Sequence, residues 1–179
     1  MKNNINLFLG IRCGIKKIGM REFISFKSFV VFGLMVLIVQ ACTVSKSSRT
    51  EKTTLVVNRA RSYVGTPYRW GGTTVLGMDC SGLLTRSFEV IDMYIPRTAK
   101  EQSKMGKSVS ISSLQPGDLV FFSKKKIGGK VTHAGLVTTV RDEGAVYFIH
   151  SSSSRGVIEE NLMKDYYRKR FVKARRIKF

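Results

Sequence analysis

The hydrophobic pattern of this chain changes period once, near Leu114, and that change limits the folds open to it. Upstream, Leu55, Val56, Arg59, Ala60, Tyr63 and Val64 recur at helical spacing, and Gly65 with Pro67 closes the segment. Asp79 then reads as an N-cap, and Leu83, Leu84, Phe88 and Ile91 give the helix behind it a buried stripe. Ile95-Pro96-Arg97-Thr98 breaks the chain before a short helical stretch over 98–105. Downstream, Pro116-Gly117-Asp118 signals a turn and 119–122 a short buried strand. Residues 131–140 and 145–150 read as a strand pair around the turn at 141–144, and 171–179 as a last strand. Helices first and strands later predict an α+β domain with an antiparallel sheet.

The first residues read as a targeting segment. Lys16, Lys17, Arg21 and Lys27 precede an uninterrupted apolar stretch over 29–39, followed by Gln40, the small Ala41 and Cys42. A basic flank, a short apolar run and a small residue before the cut describe a secretory signal. The stretch is too short to span a bilayer, which takes roughly 20 apolar residues. The cysteine directly after Ala41 resembles a bacterial lipobox, which implies cleavage before Cys42 and diacylation of Cys42. Met20 would start a signal of more usual length. The expected organisation is a signal over 1–41, a polar Ser/Thr/Lys-rich tether over 42–53, and one domain over 54–179.

This arrangement sorts the three cysteines. Cys13 leaves with the signal, Cys42 takes lipid, and Cys80 remains as the one thiol of the domain. No intramolecular disulfide is then possible, although the destination is oxidising. A lone free thiol outside the cytoplasm points to reactivity.

The residues around Cys80 give that reactivity a form. If Asp79 is the N-cap, Cys80 is the first helical residue, where unpaired amides and the helix dipole favour a thiolate. The chain holds two histidines, His133 and His150, each in a strand-like run downstream. His133 suits the base that takes and returns a proton, ideally as an imidazolium paired with the thiolate. His150 suits the polar group that orients it. Spacing alone does not place both on one face.

Six segments in order carry a resemblance: 65–72 (GTPYRWGG), 79–82 (DCSG), Pro96-Arg97-Thr98-Ala99 with Gln102, 114–122 (LQPGDLVFF), Thr132-His133-Ala134-Gly135 and Phe148-Ile149-His150. Together they resemble the NlpC family of bacterial cell-wall cysteine peptidases, from about Leu55 to the C-terminus. The resemblance implies a papain-like α+β fold, with the nucleophile helix packed on a central antiparallel sheet. It implies a triad of Cys80, His133 and His150, acting on stem peptides of peptidoglycan. It also implies Tyr68 as an oxyanion donor beside the Cys80 amide, with Asp79 and Ser81 in contact with the peptide. Arg97 is left between a substrate carboxylate and a structural ion pair.

Charge bears on partners. Six of the 31 basic and one of the 12 acidic residues lie in 1–41, so the remainder keeps +14 of the formal +19. Such a surface favours polyanions, and the secretory signal argues against nucleic acid. Anionic headgroups and cell-wall carboxylates fit better, and the spread of the basic residues also fits a plain solvated face. No cofactor is implied, and a monomer is expected. Zinc on Cys80, His133 and His150 would lack the tight ligand pairs of structural sites and would silence the nucleophile. A silent wall-binding protein and a papain-like amidase or acyltransferase remain as alternatives.

Overall fold

The computed structural model describes residues 49–125, 129–142 and 144–178. The signal, the lipobox with Cys42, and the tether up to residue 48 lie outside the described residues.

Helix α1 occupies 49–61 among those residues. It turns its apolar side inward: Val56 and Ala60 are fully buried and Val57 nearly so. Residues 49–53 are helical, so this part of the expected tether belongs to the helix instead. Their Thr, Lys and Glu side chains look like linker in composition, but none of them breaks a helix.

A two-stranded ribbon, β1 (Thr73–Thr74) and β2 (Gly77–Met78), leads into α2 (Cys80–Phe88). Asp79 is the N-cap of α2, extended at φ −89° and ψ 175°, and its carboxylate accepts from the Gly82 amide. Leu83, Leu84 and Phe88 lie fully buried along one side of α2, each contributing about 2 kcal/mol by area. A 3₁₀ turn follows at Glu89–Ile91, and Asp92 then takes a left-handed conformation (φ 54°) that ends the run. Helix α3 (Ala99–Gln102) is capped by Thr98, whose hydroxyl oxygen accepts from the Glu101 amide.

The main sheet holds β3 (Lys107–Val109), β4 (Leu119–Phe122), β5 (His133–Val140), β6 (Val146–Ser152), β7 (Gly156–Asn161) and β8 (Phe171–Arg176). Its order is β3-β8-β4-β5-β6-β7, antiparallel throughout. The four residues of β4 are all buried because the sheet is covered on both faces. Leu119, Phe121, Ala134, Leu136 and Ile149 pack with α1 and α2 residues in one core. Val120, Phe122, Val137 and Phe148 pack on the other side with Leu162 and with Tyr167 from α4 (Asp165–Arg168). Alternate residues of one strand thus feed two cores, as the two-residue strand period demands.

The α+β class expected from the periodicity is the one observed. The differences are local. β6 runs past the expected end at residue 150 to include Ser151 and Ser152, and the Ser151 hydroxyl donates to the Met78 carbonyl at 2.8 Å. The last strand stops at Arg176. Strands β1, β2, β3 and β7 and helix α4 have no counterpart in the sequence reading. Among the described residues no helix is long and apolar enough to cross a membrane.

Candidate active site

Cys80 stands at the first position of α2, buried to 7% exposure at the base of an open cleft of about 1190 Å³. The backbone N–H groups of Ala134, Ser81 and Cys80 itself act on its sulfur to lower its pKa. They favour a thiolate, as a helix start should. Burial opposes them and dominates, with the Asp79 charge adding to it, so the thiol is pushed up to about 11.

The histidines come from neighbouring strands. His133 opens β5 and His150 lies in β6. His133 Nε2 and His150 Nδ1 are 2.7 Å apart, with the two rings nearly perpendicular. His133 thereby keeps only Nδ1 free, and both it and Cys80 line the cleft. Burial holds His133 down at about 4. Burial, then the His133 charge, holds His150 at about 3. Both imidazoles are therefore neutral at pH 7, and among the described residues no hydrogen bond joins His133 to the thiol. The resting pair is thiol and imidazole, not the ion pair expected from the sequence, because burial disfavours both charges.

Phe148 stacks on His150 with ring centroids 4.9 Å apart and planes at 20°. Gly135 makes room for that stack. A Cβ there would lie 2.6 Å from the Phe148 ring and 2.9 Å from the Ile149 carbonyl. On its far side His150 Nε2 lies 3.3 Å from the Tyr167 hydroxyl.

Asp79 organises the opposite wall. Its Oδ1 accepts from the Gly82 amide, the Ser81 hydroxyl and Arg97 Nη1, and its Oδ2 from the Gly71 amide and Arg97 Nη2. Burial raises its pKa, but the Arg97 bonds and the Gly82 and Ser81 donors outweigh it and hold the carboxyl below its usual value. Arg97 also donates to the Ser81 hydroxyl and the Gly72 carbonyl. It thus makes the structural ion pair that the sequence offered as one of its two roles, and it also lines the cleft. Gln102 donates to the Ser81 and Pro96 carbonyls, tying α3 to the start of α2. Gly82 allows the loop to close, since a Cβ there would lie 2.3 Å from the Gly72 carbonyl oxygen.

Tyr68 lines the cleft near enough to Cys80 that burial first, then the Cys80 and Asp79 charges, raise its pKa. Its hydroxyl stays a donor at neutral pH.

Residues 65–176 match the sequence model of the NlpC/P60 family. The chain belongs to the NlpC/P60 family. Among NlpC/P60 relatives it is 39% identical over 123 residues to "Murein DD-endopeptidase MepS/Murein LD-carboxypeptidase" of Escherichia coli strain K12, covering 68% of this chain and 61% of that protein. It is 40% identical over 121 residues to "Probable endopeptidase NlpC" of the same strain, covering 67% and 75%. A solved NlpC/P60 family protein from Bacillus cereus superposes with a TM-score of 0.63 at 32% identity, over 69% of this chain and 39% of that one. The papain-like α+β architecture of the NlpC/P60 domain is therefore shared.

Within this NlpC/P60 domain the cleft gathers Cys80, His133, His150, Tyr68, Asp79 and Ser81. The side chains of Asp79 and Ser81 are hydrogen-bonded to each other and to Arg97 at the start of α2, and both residues line the cleft. Cys42 lies outside the described residues. Tyr167 and Glu160 also line the cleft and escaped the sequence reading. Only their place in three dimensions marks them.

Proposed function

We propose that the domain is a cysteine peptidase that hydrolyses amide bonds in the stem peptides or cross-links of peptidoglycan. The observation that carries this reading is a thiol at a helix start sharing a cleft with a base whose far nitrogen is bonded to a second imidazole at 2.7 Å. The activities named for the Escherichia coli relatives, which this chain matches over part of their length, agree with it. So does "Gamma-DL-glutamyl hydrolase" of Bacillus subtilis strain 168, 37% identical over 126 residues.

Cys80 gives its proton to His133 Nδ1 as its sulfur attacks the amide carbonyl carbon. The carbonyl electron pair moves to oxygen, toward the Cys80 backbone amide and the Tyr68 hydroxyl. Collapse expels the amine, which takes the proton from His133 and leaves a thioester on Cys80. Water then attacks, passes its proton to His133, and the thiol leaves with that proton restored. Asp79, Ser81 and Arg97 hold the turn that presents the sulfur.

Cleft charge fits a stem peptide that carries free carboxylates. Asp79 and Glu160 are its carboxylates among the described residues, and both are ion-paired. Lys100, Lys124 and Arg170 line the cleft as further cations.

Cys42 is the proposed lipid attachment point, which holds the domain on a bacterial membrane facing the envelope. Labelling with radioactive palmitate, for wild type and Cys42→Ser, reads it. Incorporation that survives the substitution overturns the anchor. For the chemistry, the domain is incubated with defined muropeptides and products are weighed by mass spectrometry. The masses report which amide is cut. Identical products from wild type and Cys80→Ala would leave a wall-binding role in place of catalysis.

A further inference from the structure

Most of the charges that line the cleft are already matched. Arg97 is taken by Asp79, and Arg155 and Lys164 by Glu160. Lys100, Lys124 and Arg170 line the cleft with no carboxylate at ion-pair distance among the described residues. Lys100 belongs to α3, which Gln102 ties to the start of α2. Lys124 and Arg170 come from the sheet, on the side of the base.

Strand register brings these two together. Phe122 ends β4, paired on one side with His133 of β5 and on the other with Phe171 of β8. Just past that row the Ser123 amide donates to the Arg170 carbonyl at 2.9 Å, which sets Lys124 beside Arg170. The Ser123 hydroxyl holds the turn, donating to the Lys125 carbonyl and accepting from the Lys125 amide. Two inter-strand steps of about 4.8 Å separate β8 from β5, so the Arg170 backbone lies on the order of 10 Å from that of His133.

Arg170 is held in place without being used up. Its guanidinium carbon lies 3.8 Å from the centre of the Tyr166 ring, and its Nη1 donates to the Tyr166 carbonyl at 2.9 Å. Its Nε and Nη2 make no hydrogen bond among the described residues. Those two nitrogens form an edge that can meet a carboxylate with two parallel bonds. Asp165, the acid nearest in sequence, is paired with Lys169 instead. A fork already fixed by a ring and a carbonyl loses little freedom when it binds.

The proposed reaction selects the part of the substrate that comes here. His133 returns its proton to the leaving amine, so that nitrogen must lie against the base. The carbonyl oxygen turns the other way, toward the Cys80 amide and Tyr68. The residue that owns the amine then extends past His133, toward the end of β4 and the start of β8.

We propose that Arg170, with Lys124 beside it, is a specificity site for a carboxylate on the residue that supplies the leaving amine. The proposal rests on the cysteine-peptidase reading and adds a demand on the substrate: that carboxylate must be free, not amidated. A carboxamide offers the fork one oxygen and no charge.

Two synthetic muropeptides test it. They differ only at the residue that supplies the amine of the tested amide, whose carboxylates are free in one and carboxamides in the other. The wild type should prefer the free acid about tenfold in kcat/KM, mainly through KM, the scale of one hydrogen-bonded charge in an open cleft. Arg170→Ala should lose most of that preference by weakening on the free acid alone, and the double variant Lys124→Ala, Arg170→Ala should treat both alike. A wild type without preference overturns the proposal, as does a preference that persists in the double variant. An Arg170→Ala loss equal on both substrates also overturns it, leaving Arg170 as a prop for Tyr166. Calorimetry of the same two muropeptides with the Cys80→Ala chain repeats the comparison without cleavage. If the wild type cuts neither, the peptidase reading fails. Tighter binding of the free acid, lost with Arg170→Ala, would still uphold the carboxylate site, and equal binding would overturn it.

Discussion

His133 Nε2 lies 2.7 Å from His150 Nδ1, and this contact leaves Nδ1 as the nitrogen that His133 presents to the cleft it shares with Cys80. A free imidazole offers either nitrogen. Here one is committed to the neighbouring strand, and Nδ1 alone is left for the cleft. In the proposed mechanism the second histidine acts through the first, as an orienter should.

The buried resting pair predicts a distinctive alkylation profile. With the thiol near 11 and His133 near 4, the free enzyme holds little thiolate at neutral pH. The rate of iodoacetamide modification of Cys80 should therefore climb through pH 8 to 10 toward a limit near 11. A rate already level between pH 5 and 8 would mean a standing thiolate–imidazolium pair and would sink this expectation.

Acid should destabilise the fold through the same burial. The folded pKa of His133 is lowered from 6.5 to about 4, so the unfolded chain binds more protons between those values. Stability is full above about 6.5 and falls as pH drops toward 4, on the order of 3 kcal/mol for His133 alone. His150 extends the window to about 3. Urea melts across pH 4 to 7 measure the slope, and the double variant His133→Gln, His150→Gln should flatten it. An equal slope in both proteins would remove the histidines as the cause.

Arg97→Ala should cost stability as well as activity. It strips three donors from the Asp79 and Ser81 side chains and leaves a carboxylate of 7% exposure without its cation. The loss should be about 2 kcal/mol, below that of a fully buried pair, since the Arg97 side chain is 37% exposed. A melting curve unchanged from wild type, with activity gone, would instead assign Arg97 to substrate.

Gly82→Ala tests the close approach of loop and helix. Its Cβ would meet the Gly72 carbonyl oxygen at 2.3 Å, and a backbone atom cannot swing away as a side chain tip does. The expected cost is roughly 1–3 kcal/mol, seen as a lower urea midpoint with an unchanged slope. A wild-type midpoint would show that the loop is free to retreat.

The legible parts of this chain were those written locally. Asp79 beside Cys80 announces a capped helix, and Leu83, Leu84 and Phe88 mark its buried side within three turns. Strands β4, β5 and β6 are apolar runs bounded by turn residues, so their existence was readable. Strand β7 was not, because Gly156–Asn161 lies at the sheet edge, and its Glu159 and Glu160 blur the alternation. Helix α4 has four residues, barely one turn, too few to show a period. Tyr167 was invisible for that reason, and its contact with His150 exists only once both are folded. The ion pair expected at Cys80 failed for a similar cause. Helix-end geometry is local, but the depth of burial that outweighs it is not.

The hydroxyl of Ser151 reaches back 73 residues to the Met78 carbonyl, two residues ahead of the nucleophile. Contacts of that span close late, since the entropy of a long loop is spent before they repay it. A half-folded chain with α1 and α2 formed has a thiol but no base, because the strands that deliver His133 and His150 are not yet paired. The proposed hydrolysis thus needs the finished sheet. Recovery of activity should therefore time the last event of refolding, not the first.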